Sequence, residues 1–229
     1  MGIFAEDYQQ FQNHIKPIHL ELMERTPFWG LFKTYREGVV TYDAWKNDYD
    51  VIDILETYNK DLKCFGIGGK RLTITAAGIA AIFGLPKEGK TIEHGTRLSG
   101  PRMKFMKRNF GNLERLTKTA VKSRMIEACK GSSKYNPKDF VRLVCIYFCM
   151  ALLFCNTNII ISWKLVSYCE DVNKMKEYVW SNATVDFLDK SLTKKSNHLT
   201  GYVAALPSYE ESSEDVNAIP ETSNQVTTQ

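Results

Sequence analysis

The sequence predicts a mainly α fold: a single compact helical domain over residues 1–206 with a small β-hairpin near residues 63–74. A disordered acidic, Ser/Thr-rich tail over residues 207–229 is expected to follow. Three observations carry this reading. Apolar residues recur every three or four positions in several separate segments, the mark of helices that bury one side. Leu143 to Cys155 is thirteen uninterrupted apolar residues, the length of a helix buried in a protein core, where a bilayer demands about 20. Cys64–Ile67 and Arg71–Ile74 flank Gly68-Gly69, a pair suited to the positive dihedrals of a tight hairpin turn.

Taken in order, the first helix is expected from about Asp43 to Leu62, because Trp45, Tyr49, Ile52, Leu55, Tyr58 and Leu62 make one stripe. The hairpin follows. Thr75 then caps a short helix through Ala76, Ile79, Ala80 and Phe83, which Gly84 stops before Leu85-Pro86. A longer helix is expected from about Asn112 to Lys130, with Leu113, Leu116, Val121, Met125 and Ala128 inward and Gly131 as its stop. Asn136-Pro137 opens the apolar helix, since Pro is tolerated in a first turn and Asn caps well. Trp180, Ala183, Thr184, Phe187, Leu188 and Leu192 define the last helix. From Pro207 to Gln229 there are five acidic residues, no basic ones and few large apolar side chains, a composition that cannot build a core.

Composition limits what the chain can be. With 229 residues, 44% hydrophobic, 24% charged and 12% aromatic, it holds enough apolar material for one sizeable core, which excludes wholesale disorder. Seven Pro and 14 Gly exclude a collagen-like chain, and a formal net charge of +4 is small for a protein that coats nucleic acid. The six cysteines, Cys64, Cys129, Cys145, Cys149, Cys155 and Cys169, are irregularly spaced and read as reduced thiols. Met1 to Asp7 lacks the basic and apolar regions of a signal peptide, so the chain is expected to stay in the cytoplasm or nucleus. In either place Asn182-Ala183-Thr184 stays unglycosylated. The Asn156-Thr157-Asn158 break after the apolar run also argues against a membrane span.

One segment spells a chemistry. Gly84-Leu85-Pro86-Lys87-Glu88-Gly89-Lys90-Thr91 fits the phosphate-binding pattern G-x-x-x-x-G-K-[ST], which makes Gly84, Gly89, Lys90 and Thr91 a nucleotide site in an alternative reading. That chemistry needs a buried strand before the loop and a helix after it, with its N-terminus aimed at the phosphates. Thr75 to Phe83 reads as helix, and Gly95, Gly100 and Pro101 oppose a long helix afterwards, so a helix-ending turn is the expectation. Cys145 and Cys149 share one side of a helix but sit among Val144, Ile146, Tyr147 and Phe148, and the four histidines add no paired ligands, so no metal and no cofactor are expected. Neither a Cys-His nor a Ser-His-Asp signature is present, and no catalytic residue is assigned.

Charge is distributed unevenly. Residues 1–60 carry −4, residues 61–96 +2, residues 97–138 +10, residues 139–206 +1 and the tail −5. A basic centre of this kind attracts phosphate backbones, and Arg102, Lys104, Lys107, Arg108, Arg115, Lys118 and Lys122 are the residues expected to bear the contact. The competing reading is a solvated helix face.

Several short motifs resemble those of a known family. Thr26-Pro27-Phe28 comes first, then Phe65 to Thr75 leading into Ile82-Phe83-Gly84-Leu85-Pro86-Lys87-Glu88-Gly89. Asp139-Phe140-Val141-Arg142-Leu143, Tyr178 to Ala183, Phe187-Leu188 and Ser191-Leu192 complete the set. Over about Phe11 to Leu206 this order resembles the plant mobile domain family, labelled "aminotransferase-like, plant mobile domain", and the related domain that precedes Ulp-type cysteine proteases in plant transposon proteins. The resemblance implies a helical domain of plant transposon origin, some relatives of which act in the nucleus in transposon silencing and genome maintenance. It supplies no catalytic residues, and no Schiff-base lysine supports the aminotransferase label. The expected function is therefore a non-enzymatic interaction domain with protein or nucleic-acid partners and no membrane contact.

Overall fold

A computed structural model describes residues 2–39, 54–93, 95, 103–155 and 160–193. The expected tail over 207–229 lies outside them, as do Arg102 and most of the helix expected over 43–62. The chain opens with α1 (Gly2–Gln9), α2 (Pro17–Glu24) and α3 (Trp29–Arg36). A three-stranded antiparallel sheet follows, β1 (Tyr58–Asn59), β2 (Cys64–Ile67) and β3 (Lys70–Leu72), in the order β1-β2-β3. After it come α4 (Ala76–Phe83), α5 (Lys104–Phe110), β4 (Leu116–Thr117), α6 (Lys118–Lys130) and α7 (Asn136–Phe148), which runs on into a π turn at Cys149–Leu153. β5 (Ile160–Ile161), α8 (Trp163–Ser167) and α9 (Trp180–Thr193) complete it. The fold is mainly α with a small hairpin, as the sequence predicts.

The hairpin forms where expected and for the expected reason. Gly68 and Gly69 take φ of +57° and +77°, and Phe65, Gly66 and Ile67 face Leu72, Arg71 and Lys70 across the turn. Thr75 caps α4 by accepting a 3.1 Å hydrogen bond from the Gly78 amide, and Gly84 ends it in the left-handed conformation, φ 63° and ψ 32°. α9 begins at Trp180, also as the apolar spacing requires.

Three features differ from expectation. Residues 54–56 are helical, but Tyr58 and Asn59 then pair with Phe65 and Cys64, so the stripe from Trp45 to Leu62 does not continue as one helix. The break is local: the Asn59 side chain accepts from the amides of Asp61 and Leu62 at 3.0 and 2.9 Å, folding a turn, and Leu62 is left exposed. The helix expected from Asn112 starts only at Lys118. Leu116 and Thr117 pair instead with Ile161 and Ile160, while the Thr117 hydroxyl accepts from the Ala120 amide and sets the later start. At the N-terminus of α7, Pro137 sits in the first turn as expected, but Asn136 is already helical and the cap position is Tyr135.

α7 is the axis of the core. Every residue from Phe140 to Phe148 except Arg142 is fully buried, with α2 and α6 packed along it. Aromatic rings surround it: Phe4 meets Phe148 at 4.6 Å, Phe11 meets Phe140 at 5.6 Å and Phe28 meets Trp180 at 5.3 Å between centroids. Each such buried ring contributes roughly 1.5–3 kcal/mol by leaving water. The apolar run thus meets protein on all sides, and no helix among the described residues is long and apolar enough to cross a membrane. Cys145, Cys149 and Cys169 belong to this core, where burial pushes the Cys145 thiol well up, and no metal-binding group occurs among the described residues.

Candidate nucleic-acid interface

The segment spelled like a phosphate-binding loop is placed by its own glycines. A helix, α4, leads into Gly84, and irregular chain, not a helix, follows Thr91 through Glu93. Gly89 has φ of +146°, and a side chain there would stand 2.4 Å from the Glu177 carbonyl oxygen. That close approach lets the Lys90 amide donate to Glu177 at 2.6 Å and the Val179 amide donate to the Lys90 carbonyl at 3.0 Å. The Lys90 ammonium is held at 2.6 Å by the Glu177 carboxylate, which raises its pKa. Gly84 and Gly89 therefore serve a helix stop and a chain crossing, while Thr91 is exposed. Among the described residues the loop is therefore entered from a helix and left by irregular chain, not the strand-loop-helix context that phosphate binding requires.

The basic segment divides into cations that are used within the fold and cations that are not. Arg108, on α5, makes a two-pronged contact with Asp139, Nε to Oδ2 at 2.8 Å and one terminal nitrogen to Oδ1 at 2.7 Å. Arg142 adds a 3.0 Å bond to the same carboxylate and Asn109 another at 3.0 Å, so Asp139, only 4% exposed, is fully compensated. The contact with Asp139 raises the Arg108 pKa further. Beside this cluster burial raises the Glu170 carboxyl, and its Oε2 is buried without a partner. Lys122 is likewise used: its ammonium pairs with Asp7, a buried carboxylate that also accepts from the Tyr147 hydroxyl at 2.5 Å. Burial and the Asp7 contact push Tyr147 far up. Arg124 pairs with Glu127.

Residues 103–138 hold ten Lys and Arg. With Arg108, Lys122 and Arg124 paired, the other seven make no ion pair with a described residue: Lys104, Lys107, Arg115, Lys118, Lys130, Lys134 and Lys138. All are exposed except Lys118, which is half-buried. Phe105, Met106 and Phe110 anchor α5 in the core and leave Lys104 and Lys107 in solvent. The Arg108–Asp139 contact draws α5 against the start of α7, where Lys134 and Lys138 are exposed. Tyr135 stands between them, 47% exposed, with the Arg108 guanidinium 4.4 Å and the Lys134 ammonium 5.2 Å from its ring centre. Of the residues named from sequence, Lys104 and Lys107 therefore share a surface with Arg108, whose charge is already spent. Lys118 and Lys122 lie on the first turns of α6, where Asp7 holds Lys122, and Arg115 precedes β4. Lys134, Tyr135 and Lys138 were missed; their signal is the basic spacing across Lys130, Lys134 and Lys138.

Residues 51–206 match the family model described as a domain of unknown function (DUF8566). No curated protein and no solved structure matches the chain. This match overturns the resemblance to the plant mobile domain family. The motifs behind that resemblance are short, and the structure gives several a local purpose: Gly84 caps a helix, Thr75 starts one, and Asp139 holds two arginines.

Proposed function

The chain belongs to this DUF8566 family of unknown function, and we propose that it is a non-enzymatic interaction domain whose α5–α7 surface binds the phosphate backbone of a nucleic acid. One observation carries the reading: seven cations of residues 103–138 have no carboxylate partner among the described residues, while the buried aspartates nearby, Asp7 and Asp139, are already paired. Unspent cations on one segment attract a polyanion and release its counterions. Lys104, Lys107, Lys134 and Lys138 are the contact residues, and Arg115 and Lys118 extend the reach of the field. Binding of this type is read from phosphates and carries little base specificity.

The nucleotide-binding alternative through Gly84, Gly89, Lys90 and Thr91 has less support, because Glu177 occupies Lys90 and residues 91–93, directly after the loop, are not helical. A transposon-derived, nuclear setting drew its support from the plant mobile domain resemblance and is not carried into this reading.

Fluorescence anisotropy with a labelled DNA duplex across a salt series tests the proposal. Binding at low salt is expected, with log K falling linearly in log salt. The variant with Lys104, Lys107, Lys134 and Lys138 all changed to Gln flattens that slope by about 3 to 4. No binding at low salt, or an unchanged slope in the variant, overturns it.

A further inference from the structure

A second place in the fold is built differently. Between the β1-β2-β3 sheet and α9 lies a cleft of about 220 Å³, floored by Phe65, Ile74, Val185 and Leu188. Its rim carries Tyr58, Lys63, Asp186 and Asp189. Both oxygens of Asp189 are engaged, Oδ1 by the Tyr58 hydroxyl at 2.7 Å and Oδ2 by the Lys63 ammonium at 2.5 Å. Burial and the Asp189 contact push the Tyr58 hydroxyl up to about 12, so it stays a donor at neutral pH. The rim then retains one carboxylate, Asp186, with no ion-pair partner among the described residues, and the lining as a whole is net negative.

The backbone adds an independent sign. Lys63 is the one non-glycine residue with positive φ among the described residues, at +51°. Glycine would occupy that conformation without a Cβ penalty, whereas lysine is strained there. In return the lysine makes an ion pair from an ammonium that is 64% exposed, a contact of small value to stability. Strained residues of this kind concentrate at ligand clamps. Here the strained side chain holds Asp189 in place and cancels its charge, so that Asp186 is left as the point of attraction over an apolar floor.

We propose that this cleft binds a small primary amine with a compact hydrocarbon body: the hydrocarbon rests on Phe65 and Leu188, and the ammonium faces Asp186. Neutral and anionic molecules of the same shape lack that attraction. The site is separate from the lysines of the α5–α7 surface and does not depend on their role.

The test is a titration of the isotope-labelled full chain with 2-phenylethylamine to about 10 mM, followed by amide NMR shifts. Saturable shifts are expected in β1, β2 and the last turns of α9, with the isosteric 2-phenylethanol and 3-phenylpropionate weaker. Asp186→Asn is expected to weaken the amine about threefold to fivefold and leave the alcohol unchanged. Lys63→Gly, which relieves the strain, is expected to keep the fold and sharpen the preference for amine over alcohol, because the Asp189 charge is then no longer cancelled. No saturable shifts, equal affinity for amine and alcohol in the natural chain, or an unaltered amine affinity in Asp186→Asn overturns the proposal.

Discussion

Asp139 and Asp189 are the same side chain in two opposite settings. Asp139 is 4% exposed and receives two arginines and an asparagine; Asp189 is 24% exposed and receives one lysine and one tyrosine. Around Asp139 the compensation is complete, so every further cation on α5 and the start of α7 faces outward unspent. Around Asp189 compensation is just sufficient for one carboxylate, and its neighbour Asp186 makes no ion pair with a described residue. Positive surplus on one surface and negative surplus on another follow from how each buried or half-buried aspartate is satisfied, not from the formal total of +4.

The sharpest way to break this comparison is to remove the better-held aspartate. Asp139→Ala strands the Arg108 and Arg142 guanidiniums beside Phe105 and Tyr135, and a loss of about 3–5 kcal/mol is expected in urea unfolding. A loss under 1 kcal/mol means that the arginines find water.

A pH series separates the regions next. His19, buried against the Phe140 ring at 4.7 Å, accepts the Lys16 amide on Nδ1 at 3.1 Å, and burial pulls its pKa down to about 4. The unfolded chain therefore binds a proton between about pH 6.5 and 4 that the folded chain refuses, so stability falls as pH falls through that window, by roughly 2–3 kcal/mol. His19→Gln removes this slope. Asp189 behaves otherwise: burial raises its pKa, but the bonds from Lys63 and Tyr58 outweigh that and leave it below its ordinary value. Its contribution is present above the unfolded aspartate pKa and is lost only as pH falls below it. Guanidinium melts at pH 7, 5 and 3 check both, and a loss already complete at pH 5 in His19→Gln contradicts the assignment.

The smallest effect is expected at Asp189 itself. Asp189→Asn keeps an acceptor for Tyr58 and loses the charge on an exposed lysine, which amounts to about 1 kcal/mol or less in the same melts. A larger loss shows the sheet to depend on α9 more than its hydrogen bonds indicate.

What was legible in the sequence acted over three or four residues. Gly68-Gly69, the Thr75 cap and the Gly84 stop need only their neighbours, and each formed as read. The run from Leu143 announced its own burial because no polar residue interrupts it. Tyr58 and Leu62 misled because helical spacing records intervals and not partners; the bond of Asn59 to its own backbone and the pairing with Cys64 were invisible to it. Charge density was legible, but its use was not. Tyr147 and Asp7 stand 140 positions apart and Lys63 and Asp189 stand 126 apart, so nothing along the chain marks which cations the fold consumes. For that reason charge density alone points to Arg108 and Lys122 as contact residues, and the cleft has no signal along the chain.

The crossing of Gly89-Lys90 with Glu177-Val179 also sets an order in time. It joins segments 87 positions apart, and closing so long a loop is entropically costly until other contacts have shortened it. The hairpin and the α6–α7 pair, made of near neighbours, need no such wait. Gly89→Ala, which drives a methyl into the Glu177 carbonyl, is accordingly expected to speed unfolding several-fold while leaving the refolding rate unchanged in stopped-flow measurements. The small glycine crossing is then a latch that keeps the finished molecule shut, with no part in building it.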